Sequence, residues 1–274
     1  MHELLEKLGD LPAIPSVVQE LIQSFNNPDL DSHHLAQKIS QDPALTVKML
    51  RVANSAFYGL SREVGSIHEA VVLLGFAAVR SLALSAAFIN HFPPDSRSCL
   101  DRRSYWKRRV AVGCHAKSLA SCMGVDPDMA FTAGLINDIG IMVMDVCVRE
   151  RFSEVWRKAE ESGMDLLLVE RDEFGIDHAE LGAEAVKQWK FPAAIVDVIR
   201  FHYQPEHEPC AILTCLVEVA SLLVEAREKG PLEIEWLERI PSPLLEVLEP
   251  KWDCVRDCLP GAAQLESAND LLLT

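Results

Sequence analysis

Apolar residues recur along this chain at spacings of three and four, and nowhere alternate at period two over the length of a strand. Leu45, Met49, Val52 and Ala53 form one such stripe; Val186 and Trp189 form another, which resumes beyond a break at Ile195, Val198 and Ile199. This pattern predicts an all-α protein. Helices are expected at 16–26, 32–40, 43–55, 67–75, 77–90, 100–123, 127–148, 151–162, 166–174, 178–190, 193–203, 209–228 and within 232–270. Local chemistry marks several starts. Asp42 precedes Pro43, an acceptor at the N-cap followed by proline in the first turn. Ser66 with Glu69 has the form of a capping box, and Asp177 with Glu180 is a looser version.

Prolines fall mainly between the periodic segments. Pro93-Pro94-Asp95-Ser96 makes the clearest break and Gly230-Pro231 a second. The expected architecture is a two-lobed helical bundle: residues 1–95 as an N-terminal lobe, 96–207 as a second lobe, and 208–274 as further helices packed on the second. Leu213, Leu216, Leu222, Leu223 and Trp236 give the last segment apolar faces to bury, and a segment this small makes a marginal core alone.

Composition narrows the class. Of 274 residues 49% are hydrophobic and 24% charged, which suits a folded domain rather than a disordered chain. The formal charge of −15 argues against binding nucleic acid or an anionic membrane surface. The one stretch that could pass for a membrane span, Ala70–Asn90, carries Arg80 at its middle and is interrupted by Gly75, Ser81 and Ser85. A pair of buried helices fits it better. The N-terminus is short and charged without an apolar core, so no secretory signal is expected. The 8 cysteines include no CxxC pair; most lie in apolar helical stretches, where a thiol behaves as a small hydrophobe. Reduced thiols and a cytoplasmic location follow as expectations.

The segments Leu11-Pro12-Ala13-Ile14-Pro15, Asp42-Pro43-Ala44-Leu45, Leu50-Arg51-Val52-Ala53-Asn54-Ser55-Ala56-Phe57-Tyr58-Gly59, and Ser66-Ile67 with Ala70 and Leu74-Gly75 resemble the HDOD domain, the HD-related output domain of bacterial signalling proteins. The resemblance runs on through Gly134-Leu135-Ile136-Asn137-Asp138-Ile139-Gly140, His178 to Trp189, and His202, covering roughly 11–205. Its later half is shared with HD-type metal-dependent phosphohydrolases. From the residues alone, Asn54, Ser55 and Gly59 read as a helix end followed by a turn, with Asn54 and Arg51 free to bond across to the next helix; a ligand-contacting role is the other reading.

An HD hydrolase holds a divalent metal with histidine and aspartate side chains from several helices, and the metal activates a water. Measured against that pattern, the sequence departs at several places. Arg108, after Trp106 and Lys107, stands where the resemblance puts the first histidine. Asn137 replaces the histidine of the His-Asp pair, and Ser221 stands where the late aspartate would fall. Asp138, His178 and His202 remain, a set that could hold an ion if they converge. Guanidinium cannot ligate a metal, so no metal and no cofactor is expected. Arg108 is instead expected to enter the site and pair with Asp138; the alternative is Arg108 in solvent with Asp138 capping a helix. His115 could substitute as a ligand, or sit in the core with its ring satisfied.

Arg102 to Arg109 is a basic cluster containing Tyr105 and Trp106, read as a solvated helix face with Trp106 turned inward. His33-His34 is expected to face solvent. GxSxG, GxxxxGK[ST] and HExxH are absent. The resemblance implies a non-catalytic regulatory module acting through contacts with signalling proteins. The alternatives are a metal-dependent phosphohydrolase of nucleotides or phosphoesters, and a receptor that keeps the pocket for a nucleotide without the chemistry.

Overall fold

A computed structural model describes residues 4, 7–11, 14–25, 32–56, 58, 60, 62–204, 211–229 and 240–273. The expectations at Pro12, Ala13, Phe57, Gly59, Cys210, Gly230, Pro231 and Trp236 lie outside the described residues, as does the side chain of Cys258.

Among the described residues there are helices and no strand. Their order is α1 (Ser16–Gln23), α2 (Ser32–Ser40), α3 (Pro43–Ala53), α4 (Ile67–Leu74), α5 (Phe76–His91), α6 (Arg102–Met123), α7 (Pro127–Ile136), α8 (Ile139–Cys147), α9 (Arg149–Ser162), α10 (Leu166–Phe174), α11 (His178–Gln188), α12 (Ala193–Phe201), α13 (Ile212–Lys229), α14 (Ser242–Leu248) and α15 (Trp252–Asn269), with short 3-10 turns at Leu8–Asp10, Glu249–Lys251 and Asp270–Leu273.

The caps read from the sequence are present. Asp42 accepts from the Leu45 amide at 3.0 Å, Ser66 from Glu69 at 3.2 Å and Asp177 from Glu180 at 2.8 Å. Ala70–Asn90 is two helices, divided at Gly75, whose φ of 85° only glycine adopts readily. Arg80 there is buried, its guanidinium 3.7 Å over the Phe25 ring. The run Pro127–Cys147 is long and apolar enough to cross a membrane, but 89% of it is buried inside the molecule.

The central helix is α6, which packs against α7, α13 and α15. Two glycines make its approach to α7 close: a Cβ on Gly134 would fall 2.9 Å from the Gly113 Cα. One apolar core draws buried residues from both sides of the exposed Pro93-Pro94, from Ile14 to Leu272. Phe88 of α5 lies 5.8 Å from Trp189 and 6.1 Å from Phe191, ring centre to ring centre. The turn at 270–273 packs on α3, α5 and α6, and Lys48 donates to the Leu272 carbonyl at 3.0 Å.

Two expectations need correction. Cys122 of α6 and Cys254 of α15 form a disulfide, with Cα atoms 5.8 Å apart, so not every thiol is free. Local spacing could not show a link across 132 residues. The basic cluster is also not a uniformly solvated face. Trp106 turns inward as expected, but so do Arg102 and Arg109, while Arg103 and Lys107 are exposed.

Candidate functional site

The helix expected over 127–148 is broken at Asn137 and Asp138, and the break builds the site. Asn137 ends α7 in helical geometry; Asp138, at φ −100° and ψ 20°, leaves it. Asp138 stands at the N-cap of α8 yet makes no side-chain cap bond. Its carboxylate turns inward instead, which removes the helix-capping alternative. The N-terminus of α11 is brought alongside by Gly140, where a Cβ would lie 1.8 Å from the His178 carbonyl oxygen. Only glycine permits that approach, and it carries His178 to Asp138.

The partner of Asp138 is Arg109, not Arg108. One guanidinium nitrogen of Arg109 donates both to Asp138 Oδ2 and, at 2.9 Å, to Asn137 Oδ1. Arg108 lies one residue round the helix, with a nitrogen 3.4 Å from Glu228. The helical period explains the shift. Trp106, Arg109 and Gly113 fall at spacings of three and four on the buried stripe of α6, while Arg108 falls between stripe and solvent.

The other oxygen of Asp138 accepts from His202 Nε2 at 2.7 Å and from the Tyr203 hydroxyl at 3.0 Å. His202 Nδ1 faces the Ile199 carbonyl at 2.8 Å. His178 Nε2 stands 3.9 Å from the same oxygen and has no hydrogen-bond partner. Its Nδ1 meets Glu170 Oε2 at 2.7 Å, and the same oxygen accepts the His178 amide at 2.9 Å. Asn137 donates to Ser221 of α13 at 3.3 Å. Thus Asn137, Asp138, His178, His202 and Ser221 converge, and Arg108 lines the cavity above them. Arg109, Glu170 and Tyr203 were not singled out from the sequence. The buried stripe of α6 could have found Arg109; Glu170, one of three acids on its helix with Asp172 and Glu173, carried no comparable signal.

Burial alone would push the Asp138 carboxyl up, but Arg109, the His202 hydrogen bond and the two histidines hold it well below the usual carboxylate range. Burial also works against a charged His178, yet Glu170 and Asp138 together raise its pKa. Burial and the adjoining Asp138 keep the Tyr203 hydroxyl protonated, which suits a donor.

Asp138, His178 and His202 present ligand atoms within 4.8 Å of one another. Each histidine has its far nitrogen fixed, one on Glu170 and one on the Ile199 carbonyl, as metal-binding imidazoles commonly do. Against this, Arg109 brings a permanent positive charge to Asp138 Oδ2, where it would repel a divalent cation. His115 is not in the cluster: it is buried, its Nε2 is 3.1 Å from Arg227, and burial first, then that guanidinium, lowers its pKa to about 4.

The N-terminal positions lie elsewhere and do structural work. Asn54 closes its loop in both directions, donating to the Val64 carbonyl at 2.9 Å and accepting from the Val64 amide at 2.7 Å. Arg51 is exposed, Ser55 and Tyr58 are half-buried, and Asp42-Pro43 starts α3. His33 and His34 are exposed as expected.

Above the pair opens a cavity of about 620 Å³. Its walls come from α6, α9, α13 and the α7–α8 break, and include Tyr105, Trp156, Tyr203, Glu218 and Leu222.

Several known proteins are similar to this chain in sequence or in fold. A protein of Shewanella amazonensis SB2B named "Putative phosphohydrolase" superposes with a TM-score of 0.84 at 28% identity, covering 98% of each chain. An HDOD domain protein with unknown function from Geobacter sulfurreducens gives 0.77 at 25% identity, over 98% of this chain and 97% of its own. An uncharacterized protein of Treponema pallidum (strain Nichols) is 26% identical over 210 residues, which is 75% of this chain; the chain spans 40% of that relative's length. The HDOD domain profile matches residues 11–205, the segment that holds the helix break, Arg109 and both site histidines, and the chain belongs to the HDOD family.

Proposed function

We propose that this chain is a non-catalytic regulatory module that acts through contacts with other signalling proteins, and that its HD-like site has exchanged a catalytic metal for an arginine. The observation that carries this reading is the Arg109 guanidinium bonded to Asp138 and Asn137. A buried carboxylate needs a counter-charge, and a hydrolase supplies it as a metal that also acidifies water. Arginine supplies the charge without the Lewis acidity and with no open coordination position. Asn137, Arg108 and Ser221, where the resemblance to HD hydrolases puts imidazole or carboxylate ligands, point the same way. The reading places the module in the cytoplasm, where the Cys122–Cys254 bond is open to reduction.

The second reading, a metal-dependent phosphohydrolase, draws on the convergence of Asp138, His178 and His202. An assay with a chromogenic phosphodiester and added Mn²⁺, Mg²⁺ or Zn²⁺ separates the two. We expect no turnover above that of Asp138→Ala. Metal-dependent turnover that Asp138→Ala abolishes would favour the hydrolase. Signalling partners are to be sought by pull-down from the native host.

A further inference from the structure

The charges around the cavity do not suit a nucleotide. Its two basic groups are engaged: Arg109 by Asp138, and Arg108 by Glu228 at 3.4 Å. Beyond those pairs the walls carry Asp101, Glu160, Glu218 and Glu225. Three of these have partners. Asp101 caps α6 through the Arg103 and Ser104 amides at 3.1 and 3.2 Å. Glu160 takes the Trp156 indole N–H at 2.9 Å, and Glu225 pairs with Lys229.

Glu218 is different. It is 9% exposed, it lines the cavity, and its Oε2 has no hydrogen-bond partner. A carboxylate buried in this way is costly unless something else supplies a donor. Beside the polar Ser104, Asn137, His202 and Ser221, the remaining lining is mostly apolar and aromatic. Tyr105, Trp156 and Tyr203 line it together with Ile141, Leu166 and Leu222. An unmatched acid among aromatic rings is the chemistry that receives a positive group, by ion pairing and by cation–π contact.

We propose that this cavity is a receptor site for a small organic cation, an ammonium or amidinium on an apolar or aromatic body, with Glu218 as its counter-charge. The proposal rests on the reading of this site as one that binds and signals rather than hydrolyses. It excludes the phosphate-bearing ligands an HD pocket would suggest, because the acids of the walls outnumber Arg108 and Arg109 even with Glu218 neutral. Burial of the uncompensated acid also raises the Glu218 pKa to about 8, so an arriving cation restores its ionised form.

The test is titration calorimetry on the full chain with phenethylammonium, benzamidinium and agmatine as probes. 3-Phenylpropionate serves as the anionic counterpart of the first, and AMP as the phosphate ligand. We expect at least one cation to bind at about millimolar Kd or tighter, with the anion and AMP not binding. Glu218→Gln keeps the side-chain shape and should weaken the cation at least about tenfold, while Glu246→Gln, an exposed change outside the cavity, should not. Failure of all three cations, binding of AMP in their place, or an unchanged Kd in a folded Glu218→Gln protein would overturn the proposal. The cation–anion comparison on the unaltered chain needs no variant to fold. Metal-dependent hydrolysis would instead sink the non-catalytic reading, a separate outcome of a separate assay.

Discussion

Two buried arginine–aspartate pairs tie α6 to the segment around α8, and their surroundings differ. Arg102 and Arg109 lie about two turns apart on one face of α6, and Asp145 and Asp138 have the same separation along the chain. Arg102 donates twice to Asp145, at 3.0 and 2.6 Å, and once to the Pro93 carbonyl at 2.9 Å. The second oxygen of Asp145 accepts from Ser98 at 2.8 Å. That pair is satisfied on every side and closes the join at Pro93-Pro94. The Arg109–Asp138 pair is equally buried but keeps spare capacity: Arg109 Nε and His178 Nε2 have no hydrogen-bond partner, and the pair floors a cavity. Buried polar groups without partners are rare in folded proteins. The same two residue types thus make a staple in one place and a site in the other, and the difference is what the neighbours leave unmet.

The largest effect should come from breaking the staple. Asp145→Ala strands the Arg102 guanidinium and should cost about 3–5 kcal/mol in denaturant unfolding. Arg109→Ala should cost less, about 2–4 kcal/mol, because His202 and Tyr203 still donate to Asp138. The double change Arg109→Met with Asp138→Leu should cost less than Arg109→Ala alone, since no buried charge is then stranded. A double change as damaging as the sum of its parts would show that the two residues do not act as a pair. The depressed Asp138 carboxyl contributes stability above its ordinary value of 3.8, lost only as the pH falls well below it.

Glu218 runs the other way. Its raised carboxyl favours the neutral form in the folded protein, so its contribution is greatest below 4.5 and declines as the pH rises towards about 8. Glu218→Gln should therefore match the parent near pH 4.5 and be more stable by about 1–2 kcal/mol at pH 8. A stability difference independent of pH would sink that account. The smallest effect belongs to Arg108→Ala, within about 0.5 kcal/mol, because its ion pair with Glu228 is partly in solvent. A loss comparable to that of Arg109→Ala would return Arg108 to the role the family spacing suggested.

How far the sequence could be read follows from the range of each signal. Helix existence rested on periodicity over many residues, and each helix expected within the described chain is found there except 127–148, which is two helices. The break at Asn137-Asp138 was not visible, because Leu135, Ile136, Ile139 and Ile141 continue an apolar pattern across it. The family resemblance located Asp138, His178 and His202, which do converge. It chose the wrong arginine, because a family register and a helix face differ here by one residue, and burial follows the face. Glu218 carried no motif; its significance is an atom without a partner, which only tertiary packing reveals.

Metal stoichiometry tests the central claim most directly. The full chain would be purified without chelators, incubated with excess Mn²⁺ or Zn²⁺, desalted, and analysed by mass spectrometry of the elements. With Arg109 holding Asp138, the account predicts far less than one ion per chain and no difference between the parent and Asp138→Ala. One tightly held ion per chain, lost in Asp138→Ala, would contradict it.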